Sequence, residues 1–306
     1  MQIFANFFFQ IMSFYFLLPL IYFIAVLPFP LLYGFSNVMK FFLFHVSGYR
    51  KKVVFTSLKN SFPEKSEKEI HELASRFYTH LCDVILESFK AILMSRKQIL
   101  RRFKWNDESQ AVMKKLFEQN KNIIMVGGHM GNFEWANLAI STLAHHQIIG
   151  VYKPIRNQNF DKFMKNLRQR YGTIMISGKE SYKFIYAYNQ PKPFLLGLVS
   201  DQTPAPENAY WTTFLNQDTP VFWGAENMSR ELNCPLVFVS VKKVKRGFYE
   251  TSIEILFENP KETKTGEITE AFTRRLEKDI REQPEIWLWS HRRWKHGKRK
   301  VQIISE

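Results

Sequence analysis

The residues best suited to chemistry lie in Val126-Gly127-Gly128-His129-Met130-Gly131-Asn132-Phe133-Glu134, where an apolar, strand-like run gives way to a helical pattern. Four residues separate His129 from Glu134. A histidine at the end of a buried strand, with a carboxylate in the first turn of the next helix, can have one ring nitrogen held by the acid and the other facing a cleft. That is the arrangement of a general base. Gly127, Gly128 and Gly131 carry no Cβ, so a substrate can approach backbone N–H groups near a helix N-terminus, where negative charge is favoured. With no serine or cysteine nucleophile beside the pair, the chemistry that fits is deprotonation of a substrate hydroxyl, which then attacks. The charge that develops on a carbonyl oxygen needs backbone N–H groups or a cation, and Arg156, Arg168 and Arg170 can supply the cation or grip a phosphate. The same letters also spell a Gly-rich turn whose histidine only caps a helix, and the cluster alone does not choose.

The elements that must hold this turn follow from periodicity. Short apolar or β-branched runs at 122–126, 148–152, 173–176, 194–199, 236–241 and 251–257 alternate with helical patterns at 133–145, 159–170, 180–188, 223–232 and 268–281. Such alternation predicts an α/β fold, a mostly parallel central sheet flanked by helices, with the last two strands as antiparallel neighbours. In these sheets the site lies at the carboxyl ends of strands, where both His129 and Asp201 fall. Asp201 also fits a turn or helix-cap role, since Gln202-Thr203-Pro204 follows it. Upstream, Ser66-Glu67-Lys68-Glu69 reads as a capping box opening an amphipathic helix to about residue 94. The basic stretch 96–104 reads as a turn, and Lys242, Lys243, Lys245 and Arg246 read as a turn projecting charge toward an anionic lipid or an acidic protein.

The chain has 306 residues, 45% of them hydrophobic and 29 of them Phe, with 43 Lys plus Arg against 28 Asp plus Glu. A basic, aromatic-rich chain of this kind suits nucleic acid, an anionic membrane surface, or an acidic protein or lipid. No groove-reading helix or base-stacking motif supports nucleic acid as the partner, so a basic, membrane-tethered binding protein without catalysis is the weaker reading. Cys82 and Cys234 show neither disulfide nor metal spacing, which fits a reducing compartment.

Residues 1–39 contain no charged side chain, and Lys40 is the first. The run 11–27 approaches the roughly 20 apolar residues that a bilayer span requires, and Pro19, Pro28 and Pro30 allow a tilted span or a helix lying in one leaflet. No signal-peptide cleavage site follows. The expectation is an uncleaved, membrane-spanning or membrane-seated anchor over 1–45, an amphipathic helical segment over 46–110 and an α/β catalytic domain over 111–306. Lys40, Arg50, Lys51 and Lys52 then place the catalytic domain on the cytoplasmic side. A buried hairpin of a soluble protein is the alternative for the apolar run.

His129-x-x-x-x-Glu134 resembles the HX4D/E motif of the lysophospholipid acyltransferase superfamily, and Gly-His-x-Gly-Asn-x-Glu is similar to its lipid A late acyltransferase branch. Further matches come in order: Gly48-Tyr49-Arg50, Asn60-Ser61-Phe62-Pro63, Val151-Tyr152-Lys153-Pro154, Arg168-Gln169-Arg170, Asp201-Gln202 and Trp289-Ser290-His291-Arg292-Arg293-Trp294-Lys295. The resemblance implies transfer of a fatty acyl group from an acyl carrier protein thioester, or acyl-CoA, to a hydroxyl of a lipid A precursor at the inner membrane. A lysophospholipid, glycerol phosphate or an aminolipid is the alternative acceptor. The resemblance makes His129 the base and Glu134 its orienting acid, and it implies no metal or dissociable cofactor. Arg170, with Arg168 as the second register, stands near the acceptor phosphate or the oxyanion, and Asp201 supports the site or binds acceptor. Lys153 stands where many relatives carry arginine, which weakens bidentate phosphate binding there. Gly131 and Asn132 line the substrate side of the turn. Trp287, Leu288, Trp289 and Trp294, interleaved with the terminal basic residues, suit contact with lipid headgroups.

Overall fold

The computed structural model describes residues 2–296, with side chains from Phe14 onward. The beginning of the expected anchor and the basic tail at 297–306 therefore lie outside the described side chains. The chain opens with helices α1 (Gln2–Val26) and α2 (Phe29–Phe41), separated where Pro28 precedes the N-terminus of α2. Next come α3 (Lys51–Ser61) and α4 (Glu67–Lys90), the latter opened by the expected capping box: the Ser66 hydroxyl takes the Glu69 N–H and the Glu69 side chain takes the Ser66 N–H.

The basic stretch after it is no turn. Ser95 and Gln98 form a second capping box that starts α5 (Arg96–Arg102), and the chain then enters β1 (Phe103–Trp105). Its sequence signal is weak, since Gln98 stands where Glu is more familiar and the run around it is basic. Helix α6 (Asp107–Glu118), capped by Asn106, leads to β2 (Ile123–Gly127), whose five residues are all buried. The core then alternates: α7 (Phe133–Leu143), β3 (Gln147–Tyr152), α8 (Gln158–Gln169), β4 (Ile174–Ser177), α9 (Ser181–Tyr186) and β5 (Phe194–Val199). A hairpin of β6 (Tyr210–Phe214) and β7 (Gln217–Val221) interrupts the pattern. Its turn residues Leu215 and Asn216 both have positive φ, 49° and 64°, and a Leu-Asn pair lacks the Asn-Gly signature that usually announces such a turn. Helix α10 (Gly224–Leu232), β8 (Leu236–Lys245), β9 (Phe248–Phe257) and α11 (Glu267–Glu282) complete the elements.

The seven-stranded sheet runs β1-β9-β8-β2-β5-β3-β4. Strands β8, β2, β5, β3 and β4 are mutually parallel, while β9 is antiparallel to β8, as the sequence pattern predicts. Because β1 joins this sheet and one hydrophobic cluster extends from Phe44 to Trp289, the boundary expected at residue 110 falls inside a single core.

The apolar N-terminal run does not behave as the expected spanning anchor. Among the described residues no helix is long and apolar enough to cross a membrane. Helices α1 and α2 instead pack along α4: Ile24, Leu32 and Leu86 form a small core there, and Lys90 donates to the carbonyls of Ala25 and Leu27, both at 2.7 Å. The opposite side stays open, with Phe16 75%, Phe23 57%, Val26 67% and Leu31 62% exposed. The uncharged stretch thus has one face in the protein and another that water does not favour.

Candidate active site

The site arises from the pairing of β2 with β5. Their register sets Gly127 opposite Val199, and the Ser200 N–H extends the ladder by donating to the Gly127 carbonyl. Two residues beyond each strand end stand His129 and Asp201, so the sheet itself brings them together. His129 Nδ1 lies 2.5 Å from Asp201 Oδ1, and the His129 backbone N–H donates to Oδ2 at 2.8 Å. Trp287 Nε1–H donates to the same Oδ2 at 2.8 Å. With the carboxylate on Nδ1, that nitrogen carries the proton and Nε2 presents a lone pair. The Gln202 amide nitrogen stands 3.3 Å from Nε2, and Phe133 packs edge-on against the ring.

Burial alone would lower the His129 pKa, yet the Asp201 carboxylate, by its field and its hydrogen bond, with Glu134 behind it, outweighs burial and raises it. Asp201 is likewise buried, which favours its neutral form. The His129 charge, its side-chain and backbone hydrogen bonds, and Trp287 overcome that and hold the carboxyl well below its usual range. The ring of His129 remains 16% exposed while the Asp201 side chain is 3% exposed, so the imidazole bridges a buried anion and the outer surface.

Glu134, the acid expected on His129, is engaged elsewhere. Its Oε2 accepts from Arg168 Nε at 2.9 Å and its Oε1 from Arg168 Nη2 at 2.6 Å, a bidentate pair between α7 and the end of α8. The pairing expected from the motif is therefore corrected: His129 with Asp201, Glu134 with Arg168. The reason is geometric, since the strand neighbour two residues past β5 lies nearer the imidazole than a residue carried off on the first turn of α7.

Residues 8–296 match the sequence profile of the bacterial lipid A biosynthesis acyltransferases. The chain belongs to that family. No protein with a curated description matches it. Membership establishes an acyltransferase of lipid A biosynthesis, and the remaining expected site residues can be placed on that footing.

Of the two expected arginines, Arg168 reaches Glu134 beside the His129 turn and Arg170 does not. Arg170 turns away, donating from Nη1 to the carbonyls of Ala91 and Ile92 at 3.0 and 2.8 Å, and so closes the end of α4. Asn132, expected on the substrate side, is fully buried, and its Oδ1 caps α7 by accepting the Trp135 N–H at 2.9 Å. Gly131 is also structural. It sits at φ 58°, a Cβ there would meet Val241 Cγ1 at 2.7 Å, and its N–H donates to the Ile286 carbonyl. The N–H groups of His129, Met130 and Gly131 are all spent inside the protein, on Asp201, Gly128 and Ile286, so the expected backbone cradle for negative charge is not made by these three. Lys153 follows β3 at the same carboxyl edge as His129 and is exposed.

The terminal Trp-rich segment is another correction. Trp287 and Trp289 are 2% and 1% exposed and pack edge-to-face at 4.6 Å, so they do not reach lipid. Arg50 donates to the Ser290 carbonyl at 2.6 Å, which joins two of the separated sequence matches. Thr203 bonds the Arg293 carbonyl, locking the Asp201 loop to this segment. Arg293 is buried with Nε and Nη1 unpaired among the described residues, and burial lowers it to about 10, which leaves it cationic near Asp201 at neutral pH. His291 is pushed down to about 4, chiefly by burial, and is therefore neutral. The basic residues after β8 are also absorbed in part: Arg246 and Lys243 pair with the buried Asp83. Among the described residues no group of His, Cys, Asp and Glu stands placed to hold a metal ion.

The residue to which the sequence assigns another role is Trp287, the donor to Asp201. Its only sequence signal was a tryptophan in an aromatic terminal segment, which suits lipid contact equally well.

Proposed function

We propose that this acyltransferase moves a fatty acyl group from a thioester donor to a hydroxyl of a lipid A precursor with His129 as the general base. The observation that carries this reading is the His129–Asp201 contact on Nδ1, which leaves Nε2 free of the carboxylate and beside the Gln202 amide. Nε2 takes the acceptor's hydroxyl proton while the oxygen attacks the thioester carbonyl, and the Asp201 carboxylate stabilises the imidazolium that forms. Collapse of the tetrahedral intermediate breaks the carbon–sulfur bond, and the thiolate takes the proton back from Nε2. Arg168, oriented by Glu134, is the cation at hand for the developing oxyanion or an acceptor phosphate, and Lys153 adds positive charge at the same edge. A net charge of +15 favours an acidic donor such as acyl carrier protein and an anionic lipid acceptor.

The open apolar side of α1 and α2 supports seating in one leaflet of the inner membrane on its cytoplasmic side, since a lipid acceptor must reach His129 from a bilayer.

The test of the base is His129→Ala assayed with acyl carrier thioester and lipid A precursor. The expected result is loss of about a thousandfold or more in kcat with folding retained; near wild-type turnover would sink the mechanism. The leaflet seat is tested by Phe16→Ser with Phe23→Ser. This double variant should lose binding to anionic phospholipid vesicles, and undiminished binding would remove the proposed surface.

A further inference from the structure

Glu87, on α4, is fully buried and lies outside the reacting groups, yet three side chains from three separate elements converge on its carboxylate. Tyr33 Oη of α2 donates to Oε1 at 2.8 Å, while Asn132 Nδ2 and Tyr249 Oη of β9 both donate to Oε2 at 2.8 Å. The Trp135 indole N–H adds a bond to the Glu87 backbone carbonyl at 2.9 Å. Asn132 in turn caps α7 and lies three residues beyond His129, and Trp135 follows Glu134 directly. Glu87 therefore holds both ends of the catalytic turn's exit into α7, Asn132 through its carboxylate and Trp135 through its main-chain carbonyl.

The same carboxylate also holds α2. A turn earlier on α4, Asp83 accepts from Ser36 Oγ at 2.7 Å and from Arg246, which reaches on to Asn37 Oδ1. The ring of Phe29 meets that of Trp135 edge-on at 6.2 Å. Helix α2 is thus tied into the protein by polar bonds to α4 on one side while its other side carries open apolar residues. The polar tie nearest the reacting groups is Tyr33 to Glu87.

We propose that Glu87 is a positioning residue: it fixes Asn132 and the start of α7 relative to α2, so the geometry at His129 depends on Tyr33 being seated. The proposal rests on His129 as the base. Its physical basis is that a buried carboxyl group hydrogen-bonded to three side chains from separate elements has few alternative arrangements. A shift of about an ångström at a reacting group costs on the order of 100-fold in rate. Charge is not what the role requires. In Glu87→Gln the amide oxygen can serve Asn132 and Tyr249 while the amide nitrogen donates to Tyr33, whose hydroxyl turns to accept.

The experiment measures kcat, KM and the pH profile for full-length Glu87→Ala, Glu87→Gln, Tyr33→Phe and the Tyr33→Phe/Glu87→Ala double variant, with His129→Ala in parallel, using acyl carrier thioester and lipid A precursor. Glu87→Ala should lower kcat about 100-fold with KM and the acid limb nearly unmoved, and Glu87→Gln should recover most of it. Tyr33→Phe should cost a few-fold in the wild-type background and nothing further beside Glu87→Ala, because the two residues act through one bond. Wild-type kcat in Glu87→Ala, or the same Tyr33→Phe cost in both backgrounds, overturns the proposal. If Glu87→Ala does not fold, a folded Tyr33→Phe with wild-type kcat overturns it as well. An active His129→Ala would instead bring down the base assignment, so the two failures are distinct.

Discussion

The two ion pairs beside the catalytic turn, His129–Asp201 and Glu134–Arg168, are both largely buried, but they leave different atoms available. Asp201 receives three donors, from the His129 main chain, the His129 ring and the Trp287 indole, and what remains off the carboxylate is one imidazole nitrogen, beside the Gln202 amide. Glu134 receives two parallel donors from one guanidinium, and the group it steadies is a cation. One carboxylate therefore holds an imidazole and the other a guanidinium, although sequence proximity assigns the imidazole to Glu134. The lesson is that a motif spacing reports which residues share a turn, whereas the strand order decides which of them touch.

The largest expected difference between the pairs is seen in Asp201→Asn. The ring works as a base only when neutral, so activity falls as pH drops through the His129 pKa, and Asp201 raises that pKa above the 6.5 of an unperturbed histidine. Asp201→Asn removes the raising charge. The acid limb of kcat/KM should move to lower pH, and kcat should fall about a thousandfold or more as the tautomer is lost.

Glu134→Gln should cost less, about tenfold to a hundredfold in kcat with a measurable loss of thermal stability, because it leaves the Arg168 guanidinium buried with an incomplete partner. Its acid limb should move far less than that of Asp201→Asn. If Glu134→Gln matched Asp201→Asn in both rate and limb, the division of labour between the pairs would fall.

The smallest effect belongs to Trp287→Phe. Loss of the indole donor leaves Asp201 a less satisfied and more basic carboxylate, so the acid limb should move to higher pH, opposite in sign to Asp201→Asn. The rate should fall only about tenfold or less, the scale of one hydrogen bond to a charged group. A limb displaced downward would show that Trp287 acts by packing alone.

Much of this protein is legible in its sequence. Alternating apolar runs place β2, β3, β5, β8 and β9 and the helices between them, because local burial period is a local property. The Ser66 capping box marks the start of α4, and the ordered matches point to the acyltransferase family before any coordinates. What the chain did not disclose is which distant parts meet. Asp201 reads as site support, acceptor ligand or a turn aspartate, and as the partner of His129 only once β5 is known to lie beside β2, and Arg170 reads as well as Arg168 until α8 is docked and its last turn aims only one of them at Glu134. The Trp287 indole, read as a lipid contact, becomes a donor to Asp201 only when the C-terminal segment folds back across the strand ends. Sequence determined the family and most of the secondary structure, and it singled out His129, since each rests on residues close together or in fixed order. Tertiary structure alone decided the partner of His129, because strand order and helix docking are set by packing among residues far apart in the chain.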